Sequence, residues 1–451
     1  MKKLFLIFSF LVFALCSCDF VQSNDSNKAD DETKEDNKTD DESKKEEEVE
    51  PPLPNLDSTK SNTMNSYIDS LMSNTDSYIP SWNQEGFKGR WNYIDGVFLK
   101  SIVDLYKKTN DTKYINFVKT FVDYYIDESG NFLNLRTDVT QPGYNLGELD
   151  SVCESKVLFD LYSYTNEERY KTAIDYTYNA LSNQLKLDDG ICYAHKTSYS
   201  NQVWLDGFYM YAPFVARYAK VFNHNEIFDS LYNQYKYVRN HMYDETKKLY
   251  YHGYSYTNIF WANDNKCSSS FWTRSIGWFV SSLADTIEYY PDGDKKTELI
   301  KIYQEALDGV LNYLDKSSNM FYQVTDKGNQ SKTVSYSKYL KYLNKNYSSD
   351  TVLSNYLESS GSSLIAYSLL KGYNSKVLKR SYYDNGFNIF NGVYDKSFKN
   401  NELGDICITA GLGPSDKTYR DGSFDYYLAE PVGKNDAKGV GPFIMAFIEI
   451  Q

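Results

Sequence analysis

The sequence predicts an all-α domain, an (α/α)6 barrel of six helical hairpins, with short β pieces confined to its loops. Two observations predict it. Apolar residues recur at helical spacing in twelve segments. The links between those segments alternate between tight turns and stretches of roughly 16 to 45 residues, longer than ordinary helical connections. Hairpins arranged in a ring, with every long loop on one rim, produce that alternation. A solenoid of fixed-length repeats would show a constant period instead, and none is present.

The elements follow in chain order. Helices are predicted over 62–74, 91–108, 112–127, 147–164, 167–184 and 204–221, then over 225–241, 271–289, 295–315, 357–371, 375–391 and 438–450. Strand-type alternation occurs only in short pieces, at 248–256 and 319–325. The tight turns are Thr109-Asn110-Asp111, Thr165-Asn166-Glu167, Asn223-His224-Asn225 and Pro291-Asp292-Gly293. Each offers an Asn, Asp or Glu where the next helix needs an acceptor for its free amides.

Ahead of this domain, residues 1–18 read as an export signal. Lys2 and Lys3 precede an apolar run from Leu4 to Leu15 that is too short to span a bilayer. The run ends in Leu15-Cys16-Ser17-Cys18, similar to a bacterial lipobox, so cleavage before Cys18 and its acylation are expected. Two adjacent chains suffice for stable anchoring. The expected location is therefore the cell envelope, on its periplasmic or surface face, with the membrane as a partner. Residues 19–56 are an acidic, polar linker with too little apolar surface to order itself. The barrel then occupies residues 57–451.

Charge and composition exclude several functions. Of the net charge of −13, the first 56 residues carry −7, so the domain is only mildly acidic. That is no electrostatic footprint for nucleic acid. Four histidines without a cluster, and Cys153, Cys192, Cys267 and Cys407 far apart in the chain, predict no metal, no cofactor and no obligatory disulfide.

Polar, charged and aromatic residues collect at the starts of the predicted inner helices. The first has Trp91-Asn92-Tyr93, the second Glu148-Leu149-Asp150, the third Trp204-Leu205-Asp206-Gly207 and the fourth Trp272-Thr273-Arg274 with Trp278. The fifth begins Glu358-Ser359-Ser360-Gly361, and Arg420 and Glu430 precede the sixth. Aromatic platforms beside carboxylic acids and an arginine suit a sugar: pyranose faces stack on Trp and Tyr, and hydroxyls bond Asp and Arg. Asp150 and Asp206 stand out, because paired acids can share one proton near neutrality. The bland alternative is that each merely caps its helix. His195 and His252 lie in the loops before the third and fourth inner helices, while Met210 and Phe208 read most simply as core.

At these residues the chain resembles glycoside hydrolase family 105, the unsaturated rhamnogalacturonyl and unsaturated uronyl hydrolases. The segment Val203-Trp204-Leu205-Asp206-Gly207-Phe208-Tyr209-Met210 with Ala212-Pro213-Phe214 is similar to the family's Trp-x-Asp-Gly stretch. Trp272 to Trp278, Glu358 to Ser362, and the run from Arg420 through Tyr426-Tyr427, Glu430-Pro431 and Lys438-Gly439-Val440-Gly441 match further family segments in order. Ser275-Ile276 departs from the family's Gly-Asn, which bears on substrate preference at that edge.

The resemblance implies an (α/α)6 barrel, Asp206 as catalytic acid and Asp150 as second acid. It places His195, His252, Trp272, Arg274, Trp278, Trp91 and Tyr93 around the sugar. The implied substrate is the 4,5-unsaturated uronic acid at the nonreducing end of lyase-generated acidic oligosaccharides, with rhamnogalacturonan or pectin fragments foremost. The implied reaction is hydration of C4=C5, one carboxyl acting as acid and then as base, with Asp150 favouring the protonated form of Asp206. Another barrel glycosidase, a polysaccharide lyase or a non-catalytic sugar-binding lipoprotein are the alternatives.

Overall fold

The computed structural model describes residues 51–135 and 147–451. The export signal, Cys18 and all but the last residues of the linker lie outside the described residues. Leu53–Gln451 forms a single unit, and no described helix is long and apolar enough to cross a membrane.

Six inner helices close a ring. In order they are α2 (Tyr93–Thr109), α4 (Asp150–Glu154) running through a 3-10 turn into α5 (Leu158–Thr165), α7 (Leu205–Phe222), α9 (Thr273–Tyr289), α12 (Ser359–Asn374) and α15 (Ala437–Ile450). Each packs on the next, and α15 closes on α2. The outer layer is α1 (Ser58–Ser73), α3 (Thr112–Asp123), α6 (Glu168–Ser182), α8 (Ile227–Met242), α10 (Asp294–Leu311) and α13 (Arg380–Ser397). Two short helices, α11 (Lys341–Leu343) and α14 (Phe424–Ala429), sit in long loops. The twelve predicted helices and the barrel are therefore present, with ends shifted by a few residues; the predicted 375–391 helix runs over Arg380–Ser397.

The layering follows from the pattern of apolar residues. Almost every residue of α7, α9 and α15 is buried, as expected of helices that are apolar all round. The outer helices α6, α8 and α13 bury one stripe and expose the rest. Inner helices approach closely where glycine permits: a Cβ on Gly441 would lie 2.6 Å from Val97 Cγ1 and 2.8 Å from its carbonyl oxygen. Pro213 inside α7 cannot donate to the carbonyl of Tyr209. The buried Lys156 ammonium donates to that oxygen instead, at 3.0 Å.

The tight turns work differently from the sequence expectation. Asp111 does cap α3, accepting from the Lys113 amide. Asn110, Asn166 and Asn223, however, end the preceding helices in the left-handed conformation, at φ of 56°, 57° and 61°. Asparagine tolerates that region, and the residue closes the C-terminus rather than opening the next helix.

A discontinuous belt of short antiparallel contacts ties the long loops together on one rim. Glu148 bridges to Lys196, Gln202–Trp204 pairs with Gly253–Ser255, Trp272 bridges to Val324, and Tyr322 to Leu357. The first three contacts each join the start of one inner helix to the loop that leads to the next, and the fourth closes the loop before α12 on itself. The rim is thereby held in register where functional side chains emerge.

Candidate active site

A cavity of about 190 Å³ opens at this rim and is lined from all the inner-helix starts except that of α12. Asp206, the second residue of α7, lines it. Its carboxylate does not cap the helix, and among the described residues no hydrogen bond reaches its buried Oδ2. Asp150, the first residue of α4, likewise caps nothing. The capping alternative thus falls for both acids, and they face the cavity instead.

Asp150 is the fixed anion of the pair. Lys196 Nζ lies 2.6 Å from its Oδ2 and His195 Nε2 lies 3.4 Å from its Oδ1. Burial opposes its ionisation, but Lys196 and then His195 outweigh burial and hold the carboxyl below the usual range. Glu148 bonds the same lysine at 3.2 Å and Arg90 at 2.7 Å, so a chain of charges braces the second acid.

The two histidines divide the acids between them. His195 is buried and stacked on Trp204 at 4.5 Å, and burial, against the pull of Asp150, lowers the affinity of its imidazole for a second proton. Gly207 makes room for it: a Cβ there would lie 3.1 Å from His195 Nδ1. His252 is fully buried with Nε2 3.3 Å from Asp206 Oδ2, an approach without hydrogen-bond alignment. The pairing of Gly253–Ser255 with Gln202–Trp204 puts it there, and the Leu205 amide donates to the His252 carbonyl at 3.1 Å.

Tyr427, on α14, completes this arrangement. Its hydroxyl is 2.6 Å from His252 Nδ1. Burial, then the Asp206 charge, pushes the phenol far above its ordinary range, so it keeps its proton. A phenol that donates to Nδ1 leaves the imidazole hydrogen on Nε2, the nitrogen nearer Asp206.

Trp272, Arg274, Trp278, Tyr93 and Met210 also line the cavity. Met210 is core as expected, 1% exposed in the main apolar cluster, and its edge also reaches the lining. Arg274 stacks on Trp272 at 4.6 Å, donates to the Cys407 carbonyl, and leaves Nε without a partner. Glu358 is a buried cap for α12, accepting from the Ser360 and Gly361 amides. Trp91 lies outside the lining: its ring packs on Tyr125 and Phe132, and its Nε1 donates to Ser155. Sequence reasoning missed Lys196 and Tyr199, and it gave Arg420, Lys438 and Tyr427 no role although they stood in the motifs singled out. Lys196 had a signal in its adjacency to His195, and Tyr427 stood within the C-terminal run already singled out.

A larger cavity, of about 280 Å³, opens among the opposite ends of the inner helices. Its charges neutralise one another: Lys100 pairs with Asp104 at 2.6 Å, and Arg217 clasps Asp160 at 2.6 and 2.7 Å. Asp285 there also has a buried oxygen without a hydrogen bond, but Lys100 and Lys371 stand 3.6 and 3.3 Å from its carboxylate, whereas no lysine or arginine pairs with Asp206 among the described residues.

The model of Glycosyl Hydrolase Family 88 matches residues 64–342 and 341–451, nearly the whole barrel. The chain belongs to this family. Among solved structures it is similar to a family 105 glycoside hydrolase of C. acetobutylicum, with a TM-score of 0.73 and 32% identity over 86% of this chain and 98% of that one. The unsaturated glucuronyl hydrolase of Bacillus sp. GL1 shares the fold, with a TM-score of 0.59 and 12% identity over 86% of this chain and 94% of that one. Among curated proteins, the unsaturated rhamnogalacturonyl hydrolase YesR of Bacillus subtilis is 24% identical over 44% of this chain and 53% of its own length. The expected kinship with glycoside hydrolase family 105 holds, as does the expected helical barrel. This family 88/105 chain is a glycoside hydrolase.

Proposed function

We propose that the enzyme removes a 4,5-unsaturated uronic acid from the nonreducing end of lyase-generated acidic oligosaccharides, pectin-derived fragments foremost. The observation that carries this reading is Asp206: a buried carboxyl with an unbonded oxygen, on the cavity wall, facing an imidazole nitrogen. The similarity to YesR supports the substrate class.

In this reaction Asp206 gives a proton to C4, and positive charge develops at C5 and the ring oxygen. The Asp206 carboxylate then takes a proton from water as the water oxygen bonds to C5. The hemiketal opens by breaking C5–O5, and the hemiacetal left at C1 expels the rest of the chain as an alcohol. Acid and base are one group, so the second acid is free to remain an anion. Asp150, held by Lys196 and His195, suits that part and can accept from ring hydroxyls. Trp272 and Trp278 supply apolar faces for the ring. Such proton transfers contribute typically about 10²–10⁴-fold.

The test is to mix residues 57–451 with lyase-digested pectin and follow the ultraviolet absorbance of the conjugated double bond. The absorbance falls with wild type and stays constant with Asp206→Asn. A constant signal with wild type, on pectin and on lyase-treated glycosaminoglycan fragments alike, refutes the substrate class.

We further propose that the mature protein is exported and tethered through acylated Cys18, on the strength of Leu15-Cys16-Ser17-Cys18 and the basic, apolar start. Detergent phase partitioning of the full chain and of Cys18→Ala tests it. Partition of both into the aqueous phase overturns it.

A further inference from the structure

Seven arginines lie among the described residues, and five are ion-paired. Arg90 holds Glu148, Arg169 holds Asp123, Arg217 holds Asp160, Arg239 holds Glu305 and Arg380 holds Asp384. The remaining two, Arg274 and Arg420, have no carboxylate within 4.0 Å among the described residues, and both line the rim cavity. The two lysines of the lining are committed: Lys196 to Asp150 and Glu148, Lys438 to Asp436 and Glu85. The site therefore keeps two guanidinium groups without an ion-pair partner. An unsaturated uronate brings one carboxylate. The second arginine calls for a second anion.

The two arginines differ in depth. Arg274 is 2% exposed, beneath Trp272. Arg420 is half-buried, on the loop that leads to α14, and its neighbour Tyr199 is also partly exposed. A departing residue leaves toward solvent, on the more exposed side of the cavity. Arg420 is on that outer side.

Arg420 is also built in place. Its Nε donates to the Gly411 carbonyl at 3.0 Å, and Nη1 lies 3.5 Å from the Tyr199 hydroxyl. Gly411 is required there, since a Cβ would meet Nη2 at 2.2 Å and the Trp204 ring at 3.0 Å. The next residue, Asp421, accepts from Tyr339 at 2.8 Å and pairs with Lys338 at 2.9 Å, so the loop is pinned from the outside. Glu430 tempers the field of Arg420 from beyond pairing distance; its carboxyl is buried and pushed up to about 7. A pre-positioned guanidinium with free donors is the group suited to a planar carboxylate.

We propose that Arg420, with Tyr199 beside it, is the specificity-determining residue for the departing side of the substrate, where it binds the carboxylate of an acidic leaving residue. The proposal rests on the unsaturated uronyl hydrolase reading and narrows it. Fragments in which the unsaturated uronate is linked to a second uronate are the preferred substrates, and those with a neutral departing sugar are poorer ones.

The experiment compares unsaturated digalacturonate with unsaturated galacturonyl-rhamnose, using wild type, Arg420→Gln and Arg420→Lys, all followed by loss of ultraviolet absorbance. Wild type favours the digalacturonate in kcat/KM. Arg420→Gln raises KM for that substrate about tenfold or more, leaves its kcat within about twofold, and scarcely moves either constant for the neutral one. Arg420→Lys recovers part of the loss. Equal losses on both substrates, or none on either, overturn the proposal. Wild type alone gives a second reading, because added salt should raise KM for the digalacturonate more than for the neutral disaccharide; equal salt dependence also overturns it. Wild-type turnover of both substrates without preference refutes Arg420's role alone, whereas turnover of neither refutes the parent reading.

Discussion

Tyr427→Phe isolates the contact that orients His252 toward Asp206. The substitution deletes one oxygen and keeps the buried ring, which lies 5.9 Å from Trp272. His252 Nδ1 then loses its 2.6 Å partner at a fully buried position. An unpaired buried polar atom costs about 1–3 kcal/mol of stability. The same hydrogen bond, worth about 1 kcal/mol net, sets which nitrogen carries the proton. Its loss lets the Nδ1–H form compete, and the Nε2–H form falls to a minority. Since about 1.4 kcal/mol corresponds to tenfold, kcat should fall about fivefold to tenfold with KM nearly unchanged. The assay is initial rate of absorbance loss on a saturating unsaturated disaccharide, with thermal unfolding measured in parallel. A folded variant whose melting temperature drops while kcat stays within twofold of wild type would refute the orienting role, because only the structural cost would then remain.

Three further outcomes follow from the same geometry. Lys196→Gln removes the nearest counter-charge of Asp150, so the Asp150 carboxyl titrates higher, and the acidic limb of the kcat/KM profile should move to higher pH; an unmoved limb counts against Asp150 as the working anion. Gly207→Ala pushes a methyl group to 3.1 Å from His195 Nδ1, and should lower kcat/KM by about tenfold to a hundredfold with the melting temperature little changed; unaltered kinetics would show that the His195 position is not critical. Asp95 is raised from 3.8 to about 7, chiefly by burial, against hydrogen bonds from Asn92, Trp82 and Asn83. The folded state therefore holds that proton more tightly than the unfolded chain, so its stabilising effect is full below about pH 4 and is lost as pH rises to about 7. Urea titrations should find Asp95→Asn losing roughly 2–4 kcal/mol less than wild type between those limits; parallel losses in the two proteins contradict it.

The barrel was legible because helical periodicity and loop length are local properties. The apolar faces of 204–221 and 271–289 and the long links before them are written in consecutive residues, and they place Asp206 and Arg274 at helix starts without knowledge of any contact. The details of the site depend on residues that meet from afar. Tyr427 reaches His252 across 175 positions of sequence, and nothing in the local sequence distinguishes it from Tyr426, whose hydroxyl instead donates to the Gly411 carbonyl at 2.7 Å. Trp91 misled for a related reason. It stands two residues before a site-facing helix, yet its neighbours Tyr125 and Phe132 draw the ring into the core. Asn110, Asn166 and Asn223 were placed correctly in turns, but only backbone dihedrals reveal which of two helices an asparagine serves.

The central claim is that Asp206 protonates a double bond rather than assisting displacement at the anomeric carbon. The direct measurement sets an unsaturated uronyl disaccharide beside its saturated counterpart, with wild type and Asp206→Asn, and quantifies both absorbance loss and the released sugar. Release from the unsaturated compound alone, in step with the falling absorbance and absent in Asp206→Asn, is the predicted result. Cleavage of the saturated disaccharide at a comparable rate would contradict it.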